Sequence, residues 1–263
     1  YPGDTMGTPW NTRVVFDGVT HAKRSPTTAL SIGSGETFVL RGGATINSTV
    51  LDMINTENKG YTGRVEIGAG SRWPTTDQIS TLRLGGDGVI RVDGELNVKE
   101  FKIGQYGYWG GGTLEMGGEA PVVHIGKLLR CWNGKEYTVA SHVAFDIPAN
   151  GWLSAPLLGG AAADPLAGGT ESANVAAKLC IEVRADSALI AARNGYRDEM
   201  RVPLISWPTG ITVNRITLDP GNESRVRFAW TYGNSDSETS DGNPPTGLVA
   251  YVHGNGGTAI FLR

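Results

Sequence analysis

One short motif occurs twice in this chain, as Thr81-Leu-Arg-Leu-Gly-Gly-Asp87 and as Thr113-Leu-Glu-Met-Gly-Gly-Glu119. A weaker third copy is Thr37-Phe-Val-Leu-Arg-Gly-Gly43, which has one inserted residue. In each copy apolar and polar residues alternate before the glycines, which is the period of a strand with one buried face. Self-similarity of this kind is typical of a solenoid or a propeller.

A second signature consists of an apolar residue, any residue, Ile and Gly, and it occurs at Val65–Gly68, Phe101–Gly104 and Val123–Gly126. The alternating segments are short, and glycine corners separate them. Hairpins of a β-sandwich would need longer strands and two-residue turns. We therefore predict an all-β fold of the β-helix (β-solenoid) type, in which each turn of the chain stacks on the previous turn.

We expect one elongated domain over residues 1–263, with turns of roughly 20–30 residues, as in other repeat proteins. Residues 1–30 are predicted to form an irregular N-terminal cap, and residues 31–150 the regular turns. Residues 151–178, rich in Gly, Ala and Pro, are predicted to be a loop excursion. Residues 179–263 carry longer strand patterns, which predict terminal turns and a closing antiparallel layer.

The composition excludes several classes of protein. The chain has 263 residues, of which 40% are hydrophobic and 19% are charged, so it is not a disordered polyelectrolyte. It contains 38 Gly, but they have no three-residue period, so it is not collagen. Lys and Arg number 23 against 26 acidic residues, for a net charge of −3, so we expect no binding to nucleic acid. No apolar run is long enough for a transmembrane helix. The first residue is Tyr1 and not Met, so we expect either a processed precursor or an engineered start.

These motifs resemble the autotransporter-associated β-strand repeats of large secreted bacterial proteins, including those with PEP-CTERM sorting tails. The resemblance covers residues 35–130 well and residues 179–263 loosely. It implies a right-handed parallel β-helix that is secreted or displayed on the bacterial surface, usually without catalytic activity. The family has no catalytic motif to transfer to this chain.

Common catalytic signatures are absent from the sequence: it contains no nucleophile elbow, phosphate loop, dinucleotide fingerprint or zinc-protease motif. Carboxylates at equivalent motif positions, Asp87 and Glu119, would form a pair if the two motif copies stacked, as a glycosidase requires. The alternative is a solvated outer face, because the outward positions of any solenoid are polar.

Aromatic residues form the most distinctive candidate binding site. Tyr106, Tyr108 and Trp109 lie among glycines, and Trp132 follows closely. Aromatic rings stack on the apolar faces of sugars and are frequent anchors at interfaces. Packing of the same rings against the side of the helix is the alternative interpretation.

The acidic segment 234–242 is a candidate calcium site, with Asn234, Asp236, Glu238 and Asp241 as oxygen ligands. Its spacing differs from an EF-hand loop, and a solvated polar loop is the alternative. Cys131 and Cys180 can form one disulfide in an oxidising compartment or remain two free thiols.

The sequence thus predicts a non-catalytic structural or adhesive protein of a bacterial surface or matrix, which self-associates end to end or binds a surface glycan. The alternative is a polysaccharide-binding or polysaccharide-cleaving protein, a lyase or glycosidase, on the same scaffold. In that case Tyr108, Trp109, Asp87 and Glu119 would line the groove. No cofactor is expected apart from calcium.

Overall fold

The structure is a computed structural model that describes part of the chain. The described residues are 5–6, 13–22, 30–47, 50–53, 62–73, 81–103, 111–118, 121–131, 141–147, 158–159, 179–185, 199–206, 216–221, 226–239, 242–243 and 245–253. Over these residues the protein is all-β, and they include no helix that could cross a membrane.

The described residues form 22 strands. Numbered in chain order, they are β1 (Thr5–Met6), β2 (Arg13–Asp17), β3 (Thr20–Ala22), β4 (Leu30–Ile32), β5 (Thr37–Arg41), β6 (Thr45–Asn47), β7 (Val50–Met53), β8 (Arg64–Ile67), β9 (Arg72–Trp73), β10 (Thr81–Leu84), β11 (Val89–Val92), β12 (Glu95–Ile103), β13 (Thr113–Met116), β14 (Val122–Cys131), β15 (Ser141–Ile147), β16 (Leu158–Gly159), β17 (Leu179–Ala185), β18 (Glu199–Ser206), β19 (Ile216–Asp219), β20 (Val226–Tyr232), β21 (Ser235–Ser237) and β22 (Gly247–His253).

The strands belong to two sheets. Sheet B has the order β19-β17-β15-β13-β11-β8-β5-β2, and all of its pairs are parallel. Sheet A has the order β1-β4-β7-β10-β12-β14-β16-β18-β22-β20-β21. A branch of three further strands joins it at β12: β9 pairs with β12, β6 with β9, and β3 with β6. Sheet A is parallel up to β18 and antiparallel from there on. Strands that follow one another in the chain are therefore seldom hydrogen-bonded neighbours, and the pairing joins each strand to a later or earlier part of the chain.

The inward positions of sheet B form two continuous apolar rows, because a strand exposes alternate residues to opposite faces. One row passes from strand to strand through Val14, Phe38, Val65, Ile90, Leu114, Val143, Ile181 and Leu218. The other passes through Phe16, Leu40, Ile67, Val92, Met116, Phe145 and Val183. From Phe38 and Leu40 onward, all of these side chains except Leu218 are buried.

Sheet A buries its inward residues in the same core. Leu82 pairs in register with Phe101, and Leu84 with Ile103, and all four are fully buried. The two sheets meet where the rings of Phe38 on β5 and Trp73 on β9 lie 5.4 Å apart, measured between centroids. A single apolar core therefore lies between sheet A and sheet B.

The two copies of the glycine motif do not stack on each other. Thr81–Leu84 lies in sheet A, whereas Thr113–Met116 lies in sheet B and pairs with Val89–Val92. The motif marks a half-buried strand and its corner, and both sheets contain such strands. Stacking of the two motif copies, the condition for a pair between Asp87 and Glu119, is therefore not met. Glu119 itself lies outside the described residues.

Regular pairing begins earlier in the chain than predicted. Strands β2 and β3, which fall within the expected irregular cap 1–30, pair in parallel with β5 and β6. The missed signal is Arg13-Val-Val-Phe-Asp17, in which half-buried Val14 and Phe16 alternate with exposed residues. Of the predicted excursion 151–178, only β16 at 158–159 is described.

The predicted antiparallel C-terminal layer is confirmed. Strand β22 lies between β18 and β20 and is antiparallel to both. Strands β17 and β19, which belong to the same predicted region 179–263, continue the parallel sheet B. Residues 254–263 lie outside the described residues.

Gly94, at the corner between β11 and β12, offers a test of how closely neighbouring backbone segments approach. A Cβ at this position would lie 2.4 Å from the carbonyl oxygen of Ser71 and 2.5 Å from that of Gly68. We predict that Gly94→Ala lowers the free energy of unfolding by about 2–3 kcal/mol, because two backbone segments must move apart.

The matched control is Gly70→Ala, where nothing lies within 4 Å of the added Cβ and only the positive φ of 72° is strained. Its expected cost is about 1 kcal/mol. Urea unfolding of both variants measures the difference, and an equal or smaller loss for Gly94→Ala would contradict this account of the corner.

Candidate functional site

The outer face of sheet B carries oppositely charged residues two positions apart in one strand. The three pairs flank fully buried valines and occur at Arg64-Val-Glu66, Arg91-Val-Asp93 and Glu182-Val-Arg184. Because residues two apart in a strand share a face, each pair lies together on the outside. In every pair the arginine Nε donates to its carboxylate, over 2.8, 2.8 and 2.9 Å.

The same arginines use a terminal nitrogen to reach a strand two places away in the sheet. The Nη2 of Arg64 on β8 donates to Glu115 on β13 over 3.3 Å, past β11. The Nη1 of Arg184 on β17 donates to Glu115 over 3.4 Å, past β15. Arg91 on β11 likewise donates to Asp146 on β15, past β13. Each arginine thus connects its own strand to a strand beyond its immediate neighbour.

These contacts join into one group, which we call the charge network. Its members are Arg13, Arg64, Glu66, Arg91, Asp93, Glu115, Asp146, Glu182 and Arg184. It extends from β2, where Arg13 lies 3.4 Å from Glu66, to β17. The network therefore spans seven of the eight strands of sheet B.

Gly117 on the chain after β13 makes room for one of these crossings. A Cβ at this position would lie 1.9 Å from Nη2 of Arg91. The Arg91 side chain therefore passes over Gly117 on its way to Asp146. Ala144 on β15 is fully buried, so the outer face also has apolar positions that are covered.

The charges in the network stabilise one another. Burial lowers the pKa of Arg91, but the hydrogen bond and charge of Asp146, together with Asp93, more than offset that effect and raise it. For Arg184 the hydrogen bond to Glu182 is the largest cause of a raised pKa. A general acid or base needs a group that exchanges a proton near the working pH, and an arginine does not. The arginines of this network therefore connect strands and do not exchange protons.

A second polar cluster lies on the outer face of sheet A around Asp236 of β21. Its carboxylate accepts hydrogen bonds from Arg201 Nε and Nη2 (2.5 and 3.0 Å), Thr231 Oγ1 (3.0 Å) and the Tyr251 hydroxyl (2.6 Å). The Arg201 guanidinium is the main reason that the pKa of Asp236 falls to about 2, against the opposing effect of burial. Arg227 lies 4.2 Å above the Tyr251 ring in a cation–π contact.

The Asp236 cluster draws the β20–β21 hairpin over the sheet. Arg201 lies on β18, and β22 and β20 separate β18 from β21 in the sheet order. In a flat sheet, three strand spacings would separate β18 from β21 by about 14 Å, which is more than an arginine side chain can span alone. Because Arg201 nevertheless contacts Asp236, the hairpin folds over the sheet. The outer-face side chains of Val249 and Ala229 are correspondingly covered, at 2% and 1% exposure.

The predicted calcium ligands are placed as follows. Asp236 is bound by Arg201, Glu238 is bonded to Arg227 over 2.5 Å, and Asn234 is exposed in the turn between β20 and β21. Asp241 lies outside the described residues. Among the residues that the structure describes, no three acidic, His or Cys side chains are grouped as a metal site would require. Calcium binding stays a prediction, and it would have to compete with two arginines.

The predicted aromatic binding residues Tyr106, Tyr108, Trp109 and Trp132 all lie outside the described residues. Asp87 is exposed at the corner after β10. Cys180 is a half-buried free thiol, whose pKa burial raises, with smaller contributions from Asp219 and Glu182. A free Cys180 corresponds to the two-thiol alternative, and the side chain of Cys131 lies outside the described residues.

Sequence reasoning did not identify the charge network. The missed signal is the spacing itself, since a cation and an anion two apart around a valine recur in three strands. The partner strands could not be inferred, because the corners between strands vary in length.

Comparisons with models of protein families, with curated proteins and with solved structures find no match to this chain.

The crossing of Arg91 over Gly117 can be tested by a double-mutant cycle. We predict that Gly117→Ala and Asp146→Asn each lower the free energy of unfolding by about 1 kcal/mol, because each breaks the same partly exposed ion pair. The double variant should lose little more than either single variant, since contacts that share a partner are not additive. Chemical denaturation measures all four proteins, and fully additive losses would show that Gly117 acts by another route.

The Asp236 cluster predicts a specific dependence on pH. The folded-state pKa of about 2 lies below the ordinary value of 3.8, so the stabilisation is complete above pH 3.8 and is lost as the pH falls through 2. We expect Asp236→Asn to cost on the order of 2 kcal/mol near neutral pH and progressively less toward pH 2.

Urea unfolding of wild type and Asp236→Asn between neutral and acidic pH tests this expectation. Asp87→Asn, the same chemical change at an exposed corner, is the control. A stability difference that stays constant down to pH 2 would rule out the charge of Asp236 as its source.

Proposed function

We propose that this chain is a non-catalytic structural column, a right-handed parallel β-helix with an antiparallel C-terminal closure. The parallel pairs of sheets A and B, formed between distant chain segments, support the helix. Parallel strands need crossover connections, and such crossovers are right-handed in nearly all proteins. On this proposal sheets A and B are two walls of one coil around the shared apolar core.

The observation that carries the proposal is the charge network. Its arginines and carboxylates bind one another across strands. Interactions that skip a strand stabilise the stack along its axis. A load-carrying or spacing element needs this property.

Location at a bacterial surface or in an extracellular matrix is part of the proposal. It rests on the resemblance of residues 35–130 to autotransporter-associated repeats and on the low charged fraction of 19%. Adhesion is the corresponding role, because a long polar side wall offers area for contacts along its length.

The two ends of the proposed column differ in their capacity for self-association. At one end, sheet A finishes in β21, a strand of 3 residues, and short edge strands discourage further pairing. At the other end, β2 has a described partner on one side only, and Val15 and Val19 near it are 40% and 47% exposed. Self-association through β2 is therefore the version of end-to-end assembly that these observations favour.

Glycan binding is the second candidate function, and one register supports it. Ile103 at the end of β12 pairs with Cys131 at the end of β14, so the chain leaves both strands at the same edge. In the sequence, Tyr106, Tyr108 and Trp109 follow the first strand and Trp132 follows the second. The same scaffold would then be a glycan-binding module or a polysaccharide lyase or glycosidase.

Light scattering coupled to size exclusion, together with small-angle X-ray scattering, tests the column. We expect an elongated particle and polysaccharides of unchanged length after incubation, with polygalacturonate, alginate and dextran as the panel. A compact particle would overturn the column, and shortened polymers would overturn the non-catalytic assignment.

The variant Tyr108→Ala/Trp109→Ala isolates the aromatic candidate. If a polymer co-elutes with wild type and not with this variant, the glycan function through these rings is supported. Equal co-elution with both proteins would remove the two rings from the site.

A further inference from the structure

The edge of sheet B at β2 has a self-complementary sequence. Within the described part of the chain, β2 is the last strand of this sheet, and its neighbour there is β5. Its five residues are Arg13-Val-Val-Phe-Asp17, with a cation at one end and an anion at the other. Two copies of β2 that run antiparallel about Val15 therefore bring Arg13 of each copy opposite Asp17 of the other.

The side chains that this pairing would align are exposed. Arg13, Val15 and Asp17 alternate along β2 with half-buried residues, so the three share the outer face of the sheet. Among the described residues, the large apolar side chains that are exposed are Val15 on β2 and Val19 just after it. Exposed apolar surface therefore coincides with the edge that has opposite charges at its two ends.

Arg13 and Asp17 each have a partner in their own chain and capacity for another. The Nη2 of Arg13 lies 3.4 Å from Glu66, and the Arg13 side chain is 60% exposed. Asp17 accepts a hydrogen bond at Oδ2 from Arg41 over 2.9 Å and is 56% exposed. A guanidinium has five donors and a carboxylate has about four acceptor sites, so one bond does not exhaust either group.

The backbone groups of the same three residues point to the edge that lies away from β5. Gly18, directly after β2, donates its N–H to the carbonyl oxygen of Arg41 on β5 over 3.0 Å. Because the peptide groups of a strand alternate between its two edges, those of Arg13, Val15 and Asp17 face away from β5. In an antiparallel pair centred on Val15, these are the positions at which opposite residues exchange backbone hydrogen bonds.

The charges favour a single register for this pairing. A shift by two residues would place Arg13 or Asp17 opposite Val15 and would separate the opposite charges. At the other edge of sheet B, strand β19 contains one ionic side chain, Asp219, so two copies of β19 could not form such a match.

We infer that β2 is a dimerisation edge, at which two copies of this chain join their B sheets antiparallel about a twofold axis at Val15. This inference rests on the proposed function and specifies the partner in its self-association. A twofold contact uses the same edge on both copies, so assembly through it stops at two chains. The product is a head-to-head pair of columns.

Charge reversal tests the pairing. Arg13→Asp places a second carboxylate opposite Asp17 of the other copy, and Asp17→Arg places a second guanidinium opposite Arg13. Each variant alone should dimerise roughly tenfold more weakly or worse, because like charges then meet twice across the axis. An equimolar mixture of the two variants should form a heterodimer about as tight as the wild-type dimer, because opposite charges face each other at both sites.

Light scattering coupled to size exclusion over a range of concentrations measures the number of chains in the particle. The matched control is Arg72→Asp, which removes an exposed ion pair with Glu95 on sheet A and should leave the dimer unchanged. Recovery of the dimer in the mixture also shows that both single variants fold, which separates lost pairing from lost structure.

Three results would overturn the inference: a wild type that remains a single chain at roughly 0.1 mM, particles that grow beyond two chains, or a mixture that dimerises no better than the single variants. The scattering mass counts chains whatever their shape, whereas the column is tested by the shape of the dilute single chain. A failed dimer is therefore distinguishable from a failed column.

Discussion

Parallel, in-register pairing places equivalent side chains of successive strands about 4.8 Å apart, and every row of this molecule must satisfy that spacing. Apolar rows satisfy it by packing, as the row through Val65, Ile90 and Leu114 does between the two sheets. A polar row satisfies it when charges alternate, as they do at Glu66, Arg91 and Glu115.

The same spacing explains why the arginines of the charge network reach beyond their immediate neighbours. With Nε bound to a carboxylate two residues away in the chain, each arginine has a terminal nitrogen that reaches a more distant strand. For Arg91 this extension passes over Gly117. A residue without a side chain after β13 thus permits an ion pair between β11 and β15, the two strands on either side.

The sequence predicted the all-β class, parallel pairing and an antiparallel C-terminal layer, because period-two alternation and glycine corners are local properties of the chain. It did not predict which strands pair. The motif copies at residues 81–87 and 113–119 look equivalent, yet their strands β10 and β13 lie in different sheets, since alternation alone does not distinguish one sheet from another. Likewise, Arg91 and Asp146 are far apart in the chain, and only the register of β11, β13 and β15 makes them partners. For Tyr106, Tyr108, Trp109 and Trp132 the prediction rests on composition alone.

The C-terminal closure follows from a different physical requirement. A parallel stack ends in an edge with unpaired backbone groups, which invites association with other chains. Here β22 inserts between β18 and β20, so that backbone groups of both strands are paired within the same chain. Leu248, Ala250 and Val252 of β22 are fully buried in the common core, and Val249 on the outer face is 2% exposed. Closure of sheet A therefore combines an apolar strand, β22, with the ion pair between Arg201 and Asp236 on the outer face.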